Sequence, residues 1–313
     1  MESRNSSLTI VVPTYKRPES LLRCLHSITE QEYPPDYVLV VVQNIDYQTI
    51  NMLKEKKINL LMVDSPGIIH AIKSSLKLIS TELTAFIDDD VTLPKDWVKK
   101  AKDAFETNLN LGALGGTDIQ EGIVGTNNIR VGRMTAYGKL IGNHHLASGS
   151  SQQVDFLKGC NMVLRTWIAK DYLPLFEKLR GNGAQVGNDL ILSLNSRMLH
   201  MESIFDPNFF VYHHVEQRKD SSPRDKLNIQ ERKNLIFNIV LIKLTFARPL
   251  MRYIVLIFQL FIGDREVPGI ARSISLYKFN IKYSMQELKN LFEIIPETLR
   301  LSSIYRKPLR KKA

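Results

Sequence analysis

The sequence has few of the features that mark secreted, zinc-binding or membrane-spanning proteins. Only two cysteines, Cys24 and Cys160, occur in 313 residues, and they lie far apart, so neither a disulfide framework nor a zinc site is indicated. No basic segment followed by an apolar core of signal-peptide type precedes the first apolar run, which predicts a cytoplasmic protein body. The longest apolar run, residues 253–262, is shorter than the roughly 20 residues that cross a bilayer.

Two phosphate-binding signatures are absent after the first predicted strand. The missing G-x-G-x-x-G motif disfavours a dinucleotide-dependent oxidoreductase. Residues 13–20, PTYKRPES, also differ from the Gly-rich, Arg-containing phosphate loop that a sugar nucleotidyltransferase needs. Such an enzyme shares a related α/β fold and a metal requirement, so it stays open as a less favoured alternative.

The excess of positive charge is confined to the C-terminal segment. Residues 1–230 hold 26 Lys and Arg against 26 Asp and Glu, whereas residues 231–313 hold 16 against 6, which accounts for the whole net charge of +10. No interleaved stacking aromatics and no recognition motif accompany this excess, so nucleic-acid binding is not indicated. We expect an anionic membrane surface to be the partner of this segment instead.

Short apolar, β-branched runs alternate with helix-length segments in the first half of the chain. The predicted strands are residues 8–13, 37–43, 58–63 and 83–88, and the predicted helices are residues 18–31, 67–79 and 94–105. Strands that are apolar almost throughout are typical of a parallel sheet covered on both faces. The predicted fold class is therefore α/β, with a mostly parallel, twisted sheet and helices on both faces.

The second part of the chain is less regular. Residues 115–160 are rich in Gly, Asn and Ser and predict long loops over the face that carries the site. Residues 159–165 lead into a helix, residues 187–198 open another, and residues 209–214 are a predicted strand.

From residue 234 the chain becomes strongly apolar, although basic residues and Pro249 interrupt the apolar stretches. We expect amphipathic helices that lie at a membrane surface rather than cross it. The alternative is a helical lid that packs on the protein body and leaves its charges in solvent. The final eight residues, RKPLRKKA, add five basic residues and no acidic one, which favours contact with anionic lipid.

Three groups of polar residues follow predicted strands, where ligands of open α/β sheets bind. They are residues 14–17, residues 43–44 and the aspartates at 88–90. Three consecutive carboxylates repel one another in a partly desolvated turn, so a counter-charge is expected. A divalent cation that bridges to a diphosphate meets this need, and oxygen ligands suit Mn²⁺ or Mg²⁺. A solvated turn before Pro94 is the simpler alternative.

Five segments follow one another in an informative order: VVPTYKR at 11–17, FIDDD at 86–90, GCNMVLR at 159–165, GND at 187–189, and a strand that ends in His213 and His214. In this order the chain resembles the inverting glycosyltransferases of family 2, over roughly residues 7–215. The resemblance implies the GT-A fold, a Rossmann-like arrangement of the predicted sheet. It also implies an enzyme that moves a sugar from a nucleotide diphosphate-sugar donor to an acceptor hydroxyl.

The resemblance implies roles for individual residues at the donor site. Four residues after the first strand would line the nucleotide pocket: Pro13, Thr14, Tyr15 and Arg17. Asp88 would contact the ribose or the metal, with Asp89 beside it at the donor. Asp90 would bind the metal directly. His213, rather than His214, would help to hold the metal or the diphosphate.

The remaining matches concern the sugar and the acceptor. Gly159 and Asn161 match a segment beside the donor sugar and the acceptor, with Asn188 nearby, and Asp189 matches the catalytic base of the family. A carboxylate within hydrogen-bond reach of the acceptor hydroxyl removes its proton as the bond to the anomeric carbon forms. The metal stabilises the charge of the departing nucleoside diphosphate, so inversion needs one base and no enzymic nucleophile.

Three positions depart from the family pattern. Asn44 follows the second strand where the family places an Asp that contacts the nucleobase, and an amide can also bond a base edge. Lys73 stands in the family's G-x-x-x-A-R-N segment and is expected to supply its positive charge. Asn188 replaces the Glu that usually precedes the base. These departures keep a non-catalytic, membrane-associated binding protein open as an alternative, although the retained aspartates favour the enzyme.

The expected organisation is a catalytic domain at residues 1–230 followed by a basic, apolar helical segment at residues 231–313. Within the domain, residues 1–115 would bind the nucleotide and residues 116–230 the acceptor. The favoured acceptor is a saccharide or a lipid-linked sugar, as in surface polysaccharide or glycolipid synthesis. The protein is expected to lie on the cytoplasmic face of a membrane.

Overall fold

The computed structural model describes residues 6–306, except residues 55, 57, 172, 182, 184, 217–226, 265 and 277–280. The basic run at residues 307–312 therefore lies outside the described residues. The strands are β1 (Leu8–Thr14), β2 (Tyr37–Gln43), β3 (Asn59–Val63), β4 (Leu83–Ile87), β5 (Val91–Thr92), β6 (Leu111–Ile119), β7 (Thr126–Asn127), β8 (Arg133–Met134), β9 (Leu140–Ile141), β10 (Ala147–Ser148), β11 (Gln152–Gln153), β12 (Asn161–Arg165) and β13 (Glu202–His213). The helices are α1 (Pro18–Thr29), α2 (Tyr47–Leu53), α3 (Ile68–Leu78), α4 (Trp97–Thr107), α5 (Thr166–Asp171), α6 (Leu173–Phe176), α7 (Asn188–Met198), α8 (Ile229–Phe246), α9 (Met251–Phe261), α10 (Ile270–Leu276) and α11 (Ile281–Tyr305).

The main sheet, as far as the described residues show it, has nine strands, eight of them in the order β11-β13-β6-β12-β4-β1-β2-β3. β1 lies between β2 and β4 and is parallel to both, and β2 is parallel to β3. β12 runs antiparallel between β4 and β6, while β13 is parallel to β6 and pairs at its end with β5. A central, mostly parallel sheet with helices on both faces confirms the predicted fold class.

The two faces of β1 contact separate hydrophobic clusters. Leu8, Ile10 and Val12 belong to one cluster, with side chains of α1 and α4, and Val11 belongs to the other, with side chains of α3, α5, α7 and α8. All four side chains are fully buried. Because successive side chains of a strand point to opposite faces, a strand covered on both sides must be apolar throughout. The predicted strand at residues 8–13 is confirmed, with one further residue, Thr14.

The start of α7 is fixed by close packing against α8. Gly187 precedes the helix with a φ of 100°, a conformation that favours glycine. A Cβ at Gly187 would lie 2.4 Å from Ile242 Cδ1, so a side chain at this position would have to displace the end of the Ile242 side chain on α8. The first turn of α7, which carries Asn188 and Asp189, therefore begins in contact with the C-terminal part of the chain.

The prediction of loops at residues 115–160 is wrong at its beginning. β6 continues to Ile119 and pairs with both β12 and β13. Its glycines allow this close pairing, since a Cβ at Gly116 would lie 1.6 Å from Phe209 O. Beyond β6 the described region consists of two-residue strands, turns and irregular segments, as predicted.

The C-terminal helices differ in their environment. α8 is buried from Leu235 to Phe246 and shares a hydrophobic cluster with α7 and α11, so the expected position at a membrane surface is wrong for α8. α9 has one buried face and one exposed apolar face. Among the described residues, no helix is both long enough and apolar enough to cross a membrane.

Asn238 joins α8 to the loop that precedes α7. Its Oδ1 accepts from Arg180 N at 2.8 Å, and its Nδ2 donates to Arg180 O at 3.0 Å and to Val186 O at 3.2 Å. The residue is 1% exposed. One buried amide thus makes the hydrogen bonds of three backbone groups, and water would not supply these bonds in its absence.

Replacing Asn238 by leucine keeps the side-chain volume but leaves these backbone groups without their partner. We expect Asn238→Leu to lower the free energy of unfolding by about 2–4 kcal/mol, measured by urea denaturation with circular dichroism. Gln230→Leu, at an exposed position of the same helix, is the control and should change it by less than about 0.5 kcal/mol. An equal loss in both variants would contradict the role of Asn238.

Candidate active site

The carboxyl ends of β1 and β4 meet because the two strands are parallel neighbours. Thr14, the last residue of β1, donates from Oγ1 to Asp89 Oδ2 at 2.7 Å. The Arg17 guanidinium lies 3.2 Å from Asp89 Oδ1 and 2.8 Å from Asp90 Oδ2. The structure therefore brings the predicted residues after β1 together with the aspartates after β4.

A buried carboxylate after β2 fixes the backbone of the loop after β1. Asp46 caps α2 by accepting from Thr49 N at 3.2 Å, and it also accepts from Lys16 N at 2.6 Å. Lys16 has a φ of 55°, so this hydrogen bond holds a left-handed turn. The turn separates Tyr15 from Arg17 and allows the Arg17 guanidinium to return to the aspartates.

His213 connects the aspartates after β4 with a carboxylate on β6. Its Nε2 lies 3.3 Å from Asp90 Oδ1, and its Nδ1 lies 3.2 Å from Asp118 Oδ2. Lys158 forms an ion pair with the same oxygen of Asp118, whose side chain is fully buried. Alternating charges thus run from Lys158 through Asp118 and His213 to Asp90.

These contacts determine the protonation of the buried groups. Burial lowers the pKa of His213, but its hydrogen bonds to Asp118 and Asp90 outweigh burial and raise the pKa to about 12. Burial raises the pKa of Asp90 and of Asp118. The contact with His213, together with Arg17 at Asp90 and Lys158 at Asp118, outweighs burial, so the pKa of each carboxyl lies below its usual value. At Asp89 burial outweighs the nearby Arg17 and raises the pKa to about 7. Asp90 and Asp118 are therefore carboxylates at neutral pH.

Asp88, Asp90 and His213 have the positions and chemistry to hold a divalent cation. Their ligand atoms lie within 4.8 Å of one another. Asp90 Oδ1 is buried, and its contact with His213 Nε2 at 3.3 Å is too poorly directed to satisfy it, so it retains lone pairs for a further partner. Carboxylate oxygens and one neutral imidazole suit Mn²⁺ or Mg²⁺, so a bound cation would replace the proton on His213 Nε2. The residues present fit the predicted metal.

A second group of ligand atoms, from Asp118, Cys160 and His213, suits such a cation less well. These atoms also lie within 4.8 Å of one another. Burial raises the pKa of the Cys160 thiol to about 11, which disfavours the thiolate that binds metals. Lys158 already neutralises Asp118. We infer that this second group supports and orients His213.

The predicted base, Asp189, lies against Gly159. A Cβ at residue 159 would lie 3.3 Å from Asp189 Cβ and 4.0 Å from Asp189 Oδ2, so the missing side chain leaves space before the carboxylate. Asp189 is half-buried, and its Oδ1 accepts from Leu190 N at 3.0 Å. The next residue, Cys160, contributes to the ligand group of His213. Gly159 thus lies beside the predicted base, and its neighbour Cys160 lies beside His213, so this segment runs between the two parts of the site.

Asn161 and Lys73 have partners inside the protein. Trp97 Nε1 donates to Asn161 Oδ1 at 3.1 Å, and Asn161 Nδ2 donates to Phe209 O at 2.7 Å, with Asn161 only 1% exposed. Lys73 forms an ion pair with Glu177, which follows α6. The structure does not bring either side chain to the aspartates, and their roles toward the donor stay predictions.

The two remaining predicted amides also bond locally. Asn44 Nδ2 donates to Asp64 Oδ1 at 2.7 Å, which joins the turns after β2 and β3. Asn188 Nδ2 donates to Gln185 O at 3.3 Å in front of α7. Asn44 follows β2 and Asn188 begins α7, and their contacts with the base and the acceptor stay predictions.

Asp118, Lys158 and Glu216 belong to the site but are absent from the predicted residues. Asp118 lies near the carboxyl end of β6, where ligands are expected, but β6 itself was not predicted because its glycines indicated a loop. Glu216 N donates to Asp90 Oδ2 at 3.3 Å, and its carboxylate lies 2.8 Å from Arg23 Nη2. No local sequence pattern marks Lys158 or Glu216, because their partners are distant in the chain.

The sequence profile of the family described as "Glycosyltransferase like family 2" matches residues 5–233. The chain belongs to glycosyltransferase family 2. Solved structures of similar architecture agree with its GT-A fold. S. aureus TarS (residues 1–349, in complex with UDP-GlcNAc) has a TM-score of 0.61 and 15% identity over 96% of this chain and 83% of that chain. The mannosyltransferase PcManGT from Pyrobaculum calidifontis, in complex with GDP-Man and Mn²⁺, has a TM-score of 0.50 and 15% identity over 97% and 88%.

One relative with a named activity matches a shorter part of this glycosyltransferase. The glucosyl-dolichyl phosphate glucuronosyltransferase of Haloferax volcanii is 26% identical over 121 residues. The match covers 36% of this chain and 39% of that protein. The chain thus spans well under half the length of this relative.

The Asp118 carboxylate is expected to matter for metal binding although it is not a direct ligand in the assigned group. Asp118→Asn removes the charge that orients His213 and leaves Lys158 without its counter-ion. We expect the affinity for Mn²⁺, in the presence of nucleotide, to fall about 10–100-fold. The electron paramagnetic resonance signal of free Mn²⁺ measures this affinity.

Asp103→Asn, at an exposed residue of α4 that pairs with Lys99, is the matched control and should bind Mn²⁺ as the parent protein does. Thermal unfolding of Asp118→Asn shows whether its fold is retained. A folded variant with the parent's affinity for Mn²⁺ would contradict the positioning role of Asp118.

Proposed function

We propose that this family 2 glycosyltransferase moves a sugar from a nucleoside diphosphate-sugar to an acceptor hydroxyl, with inversion at the anomeric carbon and with the help of a divalent cation. One observation carries the proposal: Asp88, Asp90 and His213 cluster beyond β4, and Asp189 stands beside the space left by Gly159. The cluster can hold a cation that binds a diphosphate. The separate carboxylate of Asp189 can accept a proton. This division of roles requires no nucleophilic residue.

The loop after β1 is the proposed contact surface of the nucleotide. Pro13, Thr14, Tyr15 and Arg17 lie on this loop or at the end of β1, and the Asp46 hydrogen bond sets its shape. TarS with UDP-GlcNAc and the Pyrobaculum enzyme with GDP-Man have similar folds, which supports a nucleotide-sugar donor. These two structures carry different bases and sugars, so the donor of this enzyme is a matter for measurement.

Asp90, His213 and Asp88 would hold Mn²⁺ or Mg²⁺ in the donor complex. When bound, the cation stabilises the negative charge that develops on the departing nucleoside diphosphate. The protein prepares this site by holding His213 Nδ1 with Asp118, so that Nε2 faces Asp90. The Mn²⁺ in the Pyrobaculum structure supports this assignment.

Asp189 is the proposed general base. Its Oδ1 is held by Leu190 N, while Oδ2 faces the space in front of Gly159. There Oδ2 accepts the proton of the acceptor hydroxyl as the acceptor oxygen bonds to the anomeric carbon. The bond from that carbon to the diphosphate breaks on the opposite side, which inverts the configuration. Removal of the proton during attack makes a poorly nucleophilic hydroxyl reactive.

The proposed acceptor is a saccharide or a lipid-linked sugar used in surface polysaccharide or glycolipid synthesis. The name of the Haloferax relative includes a dolichyl phosphate-linked sugar, which supports this class, although the match covers 39% of that protein. A cytoplasmic location at a membrane agrees with the basic C-terminal segment. Acceptor and location are proposals that rest on these two observations.

The first test is calorimetric titration with UDP, GDP and dTDP, each with and without Mn²⁺. We expect one nucleotide to bind more tightly with Mn²⁺, and Asp90→Asn to lose most of this metal-dependent gain because a direct ligand loses its charge. Asp96→Asn, an exposed residue paired with Lys100, is the control and should retain the gain. Absence of nucleotide binding in all conditions would favour the non-catalytic alternative.

The second test concerns the base. Asp189→Asn should lower kcat for sugar transfer about 10²–10⁴-fold, because the amide cannot accept the proton. Binding of the donor nucleotide, measured by calorimetry, should remain within about twofold, because the substitution leaves the metal cluster unchanged. A variant with the parent's kcat would contradict the assignment of Asp189.

A further inference from the structure

Helix α9 presents a row of large apolar side chains to the outside of the protein. We define the α9 stripe as the residues of this row, which are between 44% and 80% exposed: Leu250, Tyr253, Ile254, Ile257 and Phe261. Their spacing of three and four residues places them on one face of the helix. Among the described residues of α9, no charged side chain lies between the members of this row. Contiguous apolar surface of this kind marks interaction sites rather than ordinary solvent-exposed surface.

The opposite face of α9 is part of the packed interior. Val255 and Gln259 are each 1% exposed. Gln259 Oε1 accepts from Lys243 Nζ at 2.8 Å, and the same amine lies 2.5 Å from Asp264 Oδ2. Lys243 is fully buried on α8, so a rotation of α9 would withdraw the Gln259 amide from a buried charge. The α9 stripe therefore faces outward as a fixed surface of the folded protein.

Two arginines lie near the beginning of the α9 stripe. Arg248 is exposed two residues before Leu250. Arg306, at the end of α11, donates from Nη2 to Ala247 O at 2.9 Å, which brings the end of the described chain to the turn between α8 and α9. In the sequence, four more basic residues follow Arg306 within residues 307–312.

This combination of apolar and basic groups matches an anionic lipid surface. A flat apolar row with aromatic residues enters the boundary between headgroups and acyl chains, while neighbouring Arg and Lys contact phosphate groups. A second copy of the chain would instead bring the same positive charges together. We propose that the α9 stripe binds the surface of an anionic bilayer, with Arg248 and Arg306 against the headgroups.

The inner face of α9 links this surface to the proposed acceptor region. A Cβ at Gly138 would lie 2.7 Å from Val255 Cγ1, and the rings of Tyr137 and Phe258 have centroids 4.8 Å apart. The loop at residues 137–138 is therefore packed beneath the helix that contacts lipid. A membrane-bound enzyme holds this loop close to the bilayer, where a lipid-linked acceptor is confined. This last step rests on the proposed function, whereas binding of the bilayer does not.

The test is sedimentation of the full chain with vesicles of phosphatidylcholine that contain phosphatidylglycerol. The full chain is required because α8 is part of the core. The stripe variant carries Tyr253→Ser, Ile257→Ser and Phe261→Ser, and its affinity for these vesicles should fall about tenfold or more. The matched control replaces three exposed apolar residues elsewhere, with Met62→Ser, Leu78→Ser and Leu109→Ser, and should bind as the parent does.

The composition of the vesicles tests the contribution of charge. Vesicles of phosphatidylcholine alone should bind the parent protein about tenfold more weakly, because the basic groups gain nothing from a neutral surface. Equal binding of the parent and the stripe variant to anionic vesicles would overturn the proposal. A dimer of the parent protein that the stripe variant loses, without vesicle binding by either, would assign the stripe to a second copy and also overturn it.

Nucleotide binding, measured by calorimetry on the same proteins, separates this proposal from the proposed function. Retained nucleotide binding in the stripe variant, together with lost vesicle binding, supports the membrane surface on a folded donor site. Vesicle binding by a parent protein that binds no nucleotide would support the membrane surface and reject the donor site.

Discussion

Repulsion among carboxylates is the constraint on which the arrangement of the site depends. The aspartates at residues 88–90 follow β4, and Asp118 stands on β6, two strands away in the sheet. Such charges oppose folding at a buried edge unless cations lie between them. The cations come from three separate parts of the chain: Arg17, Lys158 and His213. The aspartates are therefore compensated only when the sheet is complete, which couples formation of the site to formation of the fold.

The fold was largely predictable where a continuous apolar run indicates a strand of a parallel sheet. Continuous apolar runs identified β1 to β4, and the reason holds best for β1 and β4, which are buried on both faces. Two segments were misread for physical reasons. The glycines of β6 indicate loops in most contexts, but Gly116 is required by its close approach to Phe209 O on β13. From Leu235 to Phe246 α8 is buried on all sides and mostly apolar, which is typical of a core helix, yet the basic residues around it favoured a membrane surface.

The site was predictable where its parts are local in sequence. Thr14, Arg17 and the aspartates follow strands that the pattern identifies, so their meeting follows from the parallel order of β1 and β4. The contact of His213 with Asp118 could not be derived in this way. It depends on the register between β13 and β6, where a bulge lies between Asp206 and Val211. No periodicity reports a register of this kind.

His213 is the last residue of a strand, not a member of a loop. β13 pairs with β6 on both sides of its bulge and with β5 at His213, so backbone hydrogen bonds of the sheet determine where the imidazole stands. The conformational entropy of this side chain is already lost in the folded protein, and a ligand does not have to order it again. Because the sheet holds His213 and the aspartates after β4, their positions do not depend on the loops around them. The loops beyond β6 can diverge in length and sequence, and so adapt to new acceptors, while the geometry of the aspartates and His213 persists.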